Sequence, residues 1–382
     1  MAMERLFQLM QEKHASDMFF AAHSPVHFKI GGKLVPVNQQ QLTPENIEAL
    51  LAQVASPAQM AELAATNELN MGVSLSGVGR FRLSAFRQRG SVSAVFRYVP
   101  GDIPPLADLN LPPVLAELIM AKRGLLLVVG STGSGKSTTI AAMLDHRNAN
   151  SAGHILTLED PIEFLFKNKQ SIVNQREIGS DALTFATALR NSMRQAPDCI
   201  LIGEIRDKEA MGAALAYAQS GHLVVATLHA NNSYNALNRI IGFYPVENRT
   251  ALMQDLSSTV KAIVAQRLVP TLHGGARAAA VEVMVNSRSV ADLIEKGQIG
   301  EIKDAMDNSM SPGSQSFEQS LLKLVQDGAI SPDEALANAD SANNLLWQLN
   351  NAKVNAQQKP AADAASGSAT ASASFTGFTL NS

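Results

Sequence analysis

One cysteine, one tryptophan and an aromatic content of only 5% mark this 382-residue sequence by what it lacks. The lone thiol, Cys199, cannot close an internal disulfide, so a reducing compartment is compatible. Its place in an apolar run reads as a small buried hydrophobe. Scarce aromatics offer no evident stacking platform for single-stranded nucleic acid. Charge of one sign is missing too: 31 basic against 34 acidic residues leave a formal net charge of −3. That exerts no global pull toward nucleic acid or anionic lipid. No run approaches the ~18–20 apolar residues of a membrane span. The opening Met1-Ala-Met-Glu-Arg5 leads into an amphipathic helix pattern rather than a secretory signal. These absences predict a cytoplasmic protein with no direct membrane insertion and no nucleic-acid partner. What is present is a chain long enough for two domains, 46% hydrophobic, with an ordinary globular composition.

The most informative stretch is Gly130-Ser131-Thr132-Gly133-Ser134-Gly135-Lys136-Ser137, directly after the apolar run Leu125–Val129. It fits the pattern G-x-x-x-x-G-K-[ST], with a buried-type strand before it and a helical run, Thr138 to Met143, after it. Glycines let the backbone turn so that successive N–H groups face a phosphate, and the helix N-terminus adds a field that favours anions. In such a loop Lys136 reaches the β- and γ-phosphates and the Ser137 hydroxyl ligates Mg²⁺. The reading is a site for a nucleoside triphosphate with Mg²⁺, spanning Gly130 to Thr138.

The organisation around that loop reads as α/β. Residues 1–99 predict a separate α+β domain. Leu6, Leu9 and Met10 form a helical stripe. His27–Ile30 and Lys33–Val37 flank Gly31-Gly32 as a hairpin, and Thr43-Pro44 starts a helix. The proline-rich stretch 100–106 reads as a linker. From 107 to 349 strands alternate with helices, with strands expected at Leu125–Val129, His154–Leu158, Cys199–Ile202, Leu223–Ala226 and Ala279–Val285. That rhythm predicts a mostly parallel sheet covered by helices, followed by a helical C-terminal part. Residues 350–382, rich in Ala, Ser, Asn and Gln, offer too little apolar surface to offset ordering entropy and read as disordered.

Other candidates gather near the ends of these strands. Thr157-Leu-Glu-Asp-Pro-Ile-Glu163 sets Glu159, Asp160 and Glu163 past a strand's C-terminal end, where α/β sheets bind ligands. One carboxylate there can orient the attacking water and another can hold Mg²⁺ through its waters; a solvated acidic turn is the alternative. Asp198–Glu204 is an apolar strand ending in a glycine and a carboxylate, the usual partner for Mg²⁺ and the nucleophilic water. His222 and His229 flank another strand. An imidazole can hydrogen-bond a γ-phosphate, and no Cys or third His stands at metal-ligand spacing. Arg80, Arg82, Arg87, Arg89 and Arg97 cluster in the first domain, where arginines could fork a phosphate or simply coat a strand.

Taken in order, Gly130–Ser137, Thr157–Glu163, Ile202-Gly-Glu-Ile-Arg206 and Gly221–Asn231 resemble the Walker A, Asp box, Walker B and His box of the secretion-superfamily ATPases. Gly79-Arg-Phe-Arg82, Arg194–Asp198 and Val264-Ala-Gln-Arg-Leu-Val-Pro270 extend the resemblance over roughly residues 1–345. It is nearest to the type IV pilus retraction ATPases of the PilT/PilU family, whose lack of a Cys₄ zinc motif this chain shares. The resemblance implies a homohexamer of subunits with a PAS-like N-terminal domain and a RecA-like P-loop ATPase domain. ATP would bind between the two, with Arg80, Arg82 and Arg97 as the candidate arginines. By position Lys136 and Ser137 carry over to Walker A, Glu159 and Glu163 to the Asp box, Glu204 to Walker B, and His222 and His229 to the His box. Glu163 is the preferred water-activating carboxylate, with Glu159 left open. The resemblance further implies ATP-driven pilus retraction and twitching motility. The implied partners are a PilT-type sister ATPase and an inner-membrane platform protein, met at the cytoplasmic face of the inner membrane.

One departure stands out. The Ala-Ile-Arg motif of PilT-type members is absent from Asn286–Lys296, and Asp340–Asn344 with the longer tail resembles the PilU branch. The expectation is therefore an accessory retraction motor. A partner-binding ring subunit with little ATPase of its own and a PilT-type primary motor are the alternatives, and a RecA-like nucleic-acid motor is disfavoured by charge and aromatic content.

Overall fold

The computed structural model describes residues 2–99, 101–272, 274–275, 277–307 and 311–358. Of the tail expected at 350–382, the part up to 358 ends the helix Ala342–Gln358 and the rest lies outside the described residues; so does Pro100 of the expected linker.

Six strands form the first sheet: β1 (Asp17–Phe20), β2 (His27–Ile30), β3 (Lys33–Pro36), β4 (Glu68–Leu75), β5 (Gly79–Gln88) and β6 (Ser91–Val99). Their order is β3-β2-β1-β6-β5-β4, and every neighbouring pair is antiparallel. Alternation decides its faces. Along β5, Phe81, Leu83 and Ala85 are wholly buried while Arg80 and Arg82 take the opposite face. Helix Ala2–Glu12 closes the buried side with Met3, Phe7 and Met10. The Phe7 ring stacks on Phe81 at 4.0 Å and meets Phe96 edge-on at 5.3 Å. Across the outer face, Arg97 of β6 pairs in register with Arg82.

Seven strands form the second sheet: β7 (Gly124–Val129), β8 (Gly153–Glu159), β9 (Ser171–Glu177), β10 (Cys199–Ile202), β11 (Leu223–Leu228), β12 (Val260–Pro270) and β13 (Arg277–Val285). The order is β13-β12-β7-β11-β10-β8-β9, and the run from β12 to β9 is parallel throughout. A parallel sheet is buried on both faces, so its central strands read as continuous apolar runs. Every residue of β7 and of β10 is buried. Register places Val129 beside Leu228 and Ile202 beside both Ala226 and Leu158. The segments leaving β7, β8, β10 and β11 therefore emerge at one edge.

The molecule is thus α/β with a mostly parallel sheet, and an antiparallel sheet precedes it. In the first domain Met18–Phe20, Gly79–Phe86 and Ser91–Tyr98 also read as strands from sequence, and the structure has them as β1, β5 and β6, whereas β4, β9 and β12 are not among the expected strands. The polar run Ser171-Ile-Val-Asn-Gln-Arg-Glu177 alternates in burial as an edge strand should. β12 follows helix Arg249–Thr259 with no intervening turn, so no break in sequence announces it.

The chain separates into two compact units. One is the chain through Leu268 together with Val281–Ser316, and it contains every residue of the site described below. The other combines Val269–Ala280 with the stretch from Phe317 on. Helices Phe317–Gln326, Pro332–Asn338 and Ala342–Gln358 form that second unit, where the buried Glu318 accepts the Ser341 N–H at 2.7 Å. Among the described residues no helix is long and apolar enough to cross a membrane.

Candidate functional site

The loop between β7 and helix Lys136–Asn150 is built by close backbone approaches. Gly130 and Gly135 both take positive φ, +153° and +87°. A Cβ at Gly130 would fall 2.6 Å from the Gln266 carbonyl oxygen, and one at Gly135 would fall 2.8 Å from Gln266 Nε2. Gln266, on β12 and 3% exposed, therefore supports the loop from beneath. Its Oε1 also accepts from the Thr139 hydroxyl at 2.8 Å. Lys136 Nζ donates to the Gly130 and Ser131 carbonyls at 2.9 and 2.8 Å, which curls the side chain over its own loop. Burial pushes the Lys136 ammonium down from its ordinary value, while Glu204 and Glu163 pull it back up. Both carboxylates thus act on this lysine through space. The Ser134 hydroxyl is buried without a hydrogen-bond partner, and Thr138 occupies the first turn of the helix.

Beside the loop lies a cavity of about 520 Å³ on which Arg82, Lys136, Ser137, Glu163, Glu204 and His229 converge. Thr132, Gly133 and Glu159 also border it. The two Asp-box glutamates differ in surroundings. Glu159 ends β8 and accepts from Thr157 Oγ1 at 2.6 Å and Gln175 Nε2 at 3.2 Å. Burial raises its pKa against those hydrogen bonds. Glu163 is exposed and follows a cis Asp160–Pro161 peptide. Glu204 leaves β10 after Gly203, whose N–H donates to the Leu158 carbonyl at 2.8 Å. Its Oε2 accepts from Arg206 Nε at 2.7 Å, and its Oε1 lies 3.4 Å from His229 Nε2. His229 also borders a second hollow of about 500 Å³, with Gly130, Ser131 and Arg239. There the Arg239 guanidinium donates to the His229 carbonyl at 2.9 Å.

Outside the loop, His222, Arg97, Arg80, Arg87 and Arg89 do not border this cavity. His222 precedes β11 at the end of the strand opposite His229. Seven residues at ~3.3 Å per residue separate the two by roughly 20 Å. The His222 Nδ1–H donates to the Tyr217 carbonyl at 3.1 Å and its own carbonyl accepts from Gly124, at the start of β7. Within this subunit the residue expected at the nucleotide thus sits away from the cavity: flanking a strand on both sides puts two residues at opposite ends of it. Arg97 pairs through Nε with Asp17 at 2.8 Å, within the first sheet. Arg80 stops short of the cavity, because its guanidinium is engaged by Glu177 and by the Ile162 carbonyl at 3.1 Å.

Gln266, Gln175, Arg206 and Glu177 are residues around the site that motif reasoning did not single out. Arg206 and Gln266 fall inside stretches already quoted for the resemblance, but nothing in their spacing announces a role. Glu177 closes a polar edge strand and carries no sequence signal at all.

The comparisons with known proteins agree with one another. The family model of the type II/IV secretion system proteins matches residues 2–329. The chain is 47% identical over 349 residues to the type IV pilus ATPase PilU of Pseudomonas aeruginosa, covering 91% of each chain. It is 35% identical over 345 residues to the type IV pilus retractation ATPase PilT of the same organism, covering 90% of this chain and all of that one. Among solved structures it superposes on the pilus retraction motor PilT with bound ADP with a TM-score of 0.84 at 37% identity, covering 89% of this chain and 98% of that one. The chain belongs to the type II/IV secretion system protein family and, within it, to the pilus ATPases.

Proposed function

We propose that the chain hydrolyses Mg²⁺-ATP at this cavity and converts the energy into type IV pilus retraction, as a PilU-like accessory to a PilT-type motor. The observation that carries the reading is the convergence of the phosphate loop with Glu163, Glu204, His229 and Arg82 on one cavity. The triphosphate lies along the main-chain amides of Gly130–Thr138, with Lys136 released from its loop carbonyls to the β- and γ-phosphates. Ser137 holds Mg²⁺. The donor set fits the ion: the Ser137 hydroxyl borders the cavity together with the Glu163 and Glu204 carboxylates. One hydroxyl with carboxylates nearby suits an ion that brings phosphates and waters with it. Bound there, Mg²⁺ supplies charge neutralisation to the phosphates. Glu163 accepts the proton of the attacking water, because Glu159 is committed to Thr157 and Gln175. Glu204, whose carboxylate Arg206 and His229 hold, would order the waters around the ion. His229 senses the γ-phosphate, and Arg82 brings positive charge from the first sheet.

The functional division follows this chemistry. Residues 1–99 act as a PAS-like arginine-bearing domain, 100–106 as a linker, 107–349 as a RecA-like ATPase domain with its helical C-terminal part, and 350–382 as a tail. The unit at work is a homohexamer at the cytoplasmic face of the inner membrane, where a PilT-type ATPase and the platform protein are its partners. The altered stretch Asn286–Lys296, whose helix Arg288–Glu295 is capped by Ser287, supports the accessory role over that of a primary motor. Cells carrying Glu204→Ala as their only copy test the reading. Retraction weakened under load or lost is the expected outcome, and retraction indistinguishable from wild type would reduce the chain to a scaffold.

A further inference from the structure

Glu177, at the C-terminal end of β9, is a carboxylate with 4% exposure that the chemistry above leaves unused. Its Oε2 accepts the Ile162 N–H at 2.9 Å and the Arg80 guanidinium. Its Oε1 accepts the Gly72 N–H of β4 at 3.2 Å and the Ser180 hydroxyl at 3.5 Å. Arg80 then returns to the same short segment, donating from Nε to the Ile162 carbonyl at 3.1 Å. Ile162 is therefore held at both of its peptide groups, the N–H by the acid and the C=O by the base. That carbonyl belongs to the peptide bond leading into Glu163. Gly72 leaves room for the arrangement: a Cβ there would strike the Arg80 guanidinium and stand 2.9 Å from Glu177 Oε1.

We propose that Glu177, clasped with Arg80, is a positioning residue for hydrolysis that fixes the Asp-box turn and so aims the Glu163 carboxylate at the water. Removing two charges from water is costly, and apolar packing of the same volume commonly stabilises a fold as well or better. A clasp of this kind confers directionality instead: each bond has one geometry, and together they leave the Ile162–Glu163 peptide one orientation. The same clasp ties β4 and β5, and with them Arg82, to the turn that bears Glu163. A misplacement of about 1 Å in such a constellation costs on the order of 10²-fold in rate. The proposal rests on the ATPase reading given above.

The test uses the full chain with Mg²⁺-ATP, reading kcat per nucleotide-binding site, KM, and site number by titration with a fluorescent ADP. Glu177→Gln keeps the volume and removes the charge. It is expected to lower kcat at least about tenfold with KM within about threefold of wild type, since the loop at Gly130–Ser137 is untouched. Because the residue acts through Glu163, adding Glu177→Gln to a Glu163→Gln chain is expected to change kcat by less than about twofold. A merely structural role moves site number or melting temperature and leaves the two substitutions multiplicative. A Glu177→Gln chain that turns over at the wild-type rate per site overturns the proposal, and so do multiplicative losses in the double variant. Should Glu177→Gln fail to bind nucleotide, Gly72→Ala, which meets the clasp through the guanidinium, is read by the same criteria. A wild-type chain with no ATPase refutes the functional reading, whereas an active wild type beside an unaffected Glu177→Gln refutes the positioning role alone.

Discussion

The parallel sheet presents Lys136, Glu163, Glu204 and His229 from segments beyond its strand ends, whereas the antiparallel sheet presents Arg82 from the middle of a strand. The two modes have different mechanical consequences. A side chain on a loop past a strand end can move with a few backbone torsions, and such loops carry chemistry on a rigid base. Arg82 is fixed between β4 and β6 by ladder pairing over the whole of β5, so its backbone approaches or leaves the cavity only when its sheet does. On the proposed function, chemistry is vested in the strand ends of one sheet, and the arginine it uses in the rigid face of the other.

This contrast is sharpened first at Glu204. Glu204→Gln is expected to lower kcat about 10²–10³-fold, the scale of losing one preorganised electrostatic group in a transition state. Mg²⁺-ATP binding by calorimetry should persist; a loss under tenfold would take Glu204 out of the chemistry. Arg82→Ala should cost less in kcat, about ten- to a hundredfold, and should raise KM as well. Arg82→Lys should recover only part of it, because an ammonium lacks the bidentate fork. Full activity of Arg82→Ala would break the division between the sheets.

The two histidines that flank β11 make the comparison across one strand. Removing the His229 imidazole, 3.4 Å from Glu204, is expected to lower kcat about fivefold, the worth of roughly one net hydrogen bond. His222→Ala, at the other strand end, should stay within about twofold in the same steady-state assay. Equal losses would show that a neighbouring subunit brings His222 to nucleotide. The smallest effect is expected at Cys199, which opens β10 just as Glu204 follows its end. Burial pushes the Cys199 thiol up to about 12, so the reactive thiolate is absent at neutral pH. An aromatic disulfide reagent should label no thiol in the folded chain and one in denaturant; prompt labelling would mean that the strand interior opens.

Much of this site is legible in sequence because phosphate chemistry demands fixed spacing. The loop at 130–137 must be contiguous to present its amides, and the apolar runs Leu125–Val129 and Cys199–Ile202 declare strands buried on both faces. What stays hidden is carried by contacts between residues far apart in the chain. Gln266 meets the loop from more than a hundred residues away, and Glu177 meets Arg80 across 97 positions. Neither leaves a periodic trace. His222 misleads for the opposite reason: proximity in sequence to His229 suggests proximity in space, and an extended strand between them denies it.

Mg²⁺-ATP turnover by the full chain beside Lys136→Ala is the measurement closest to the central claim, that the loop beyond β7 grips the triphosphate while neighbouring carboxylates drive its cleavage. The account expects measurable turnover from the wild-type chain and a fall of at least about a hundredfold in Lys136→Ala. Equal rates from the two chains would contradict it.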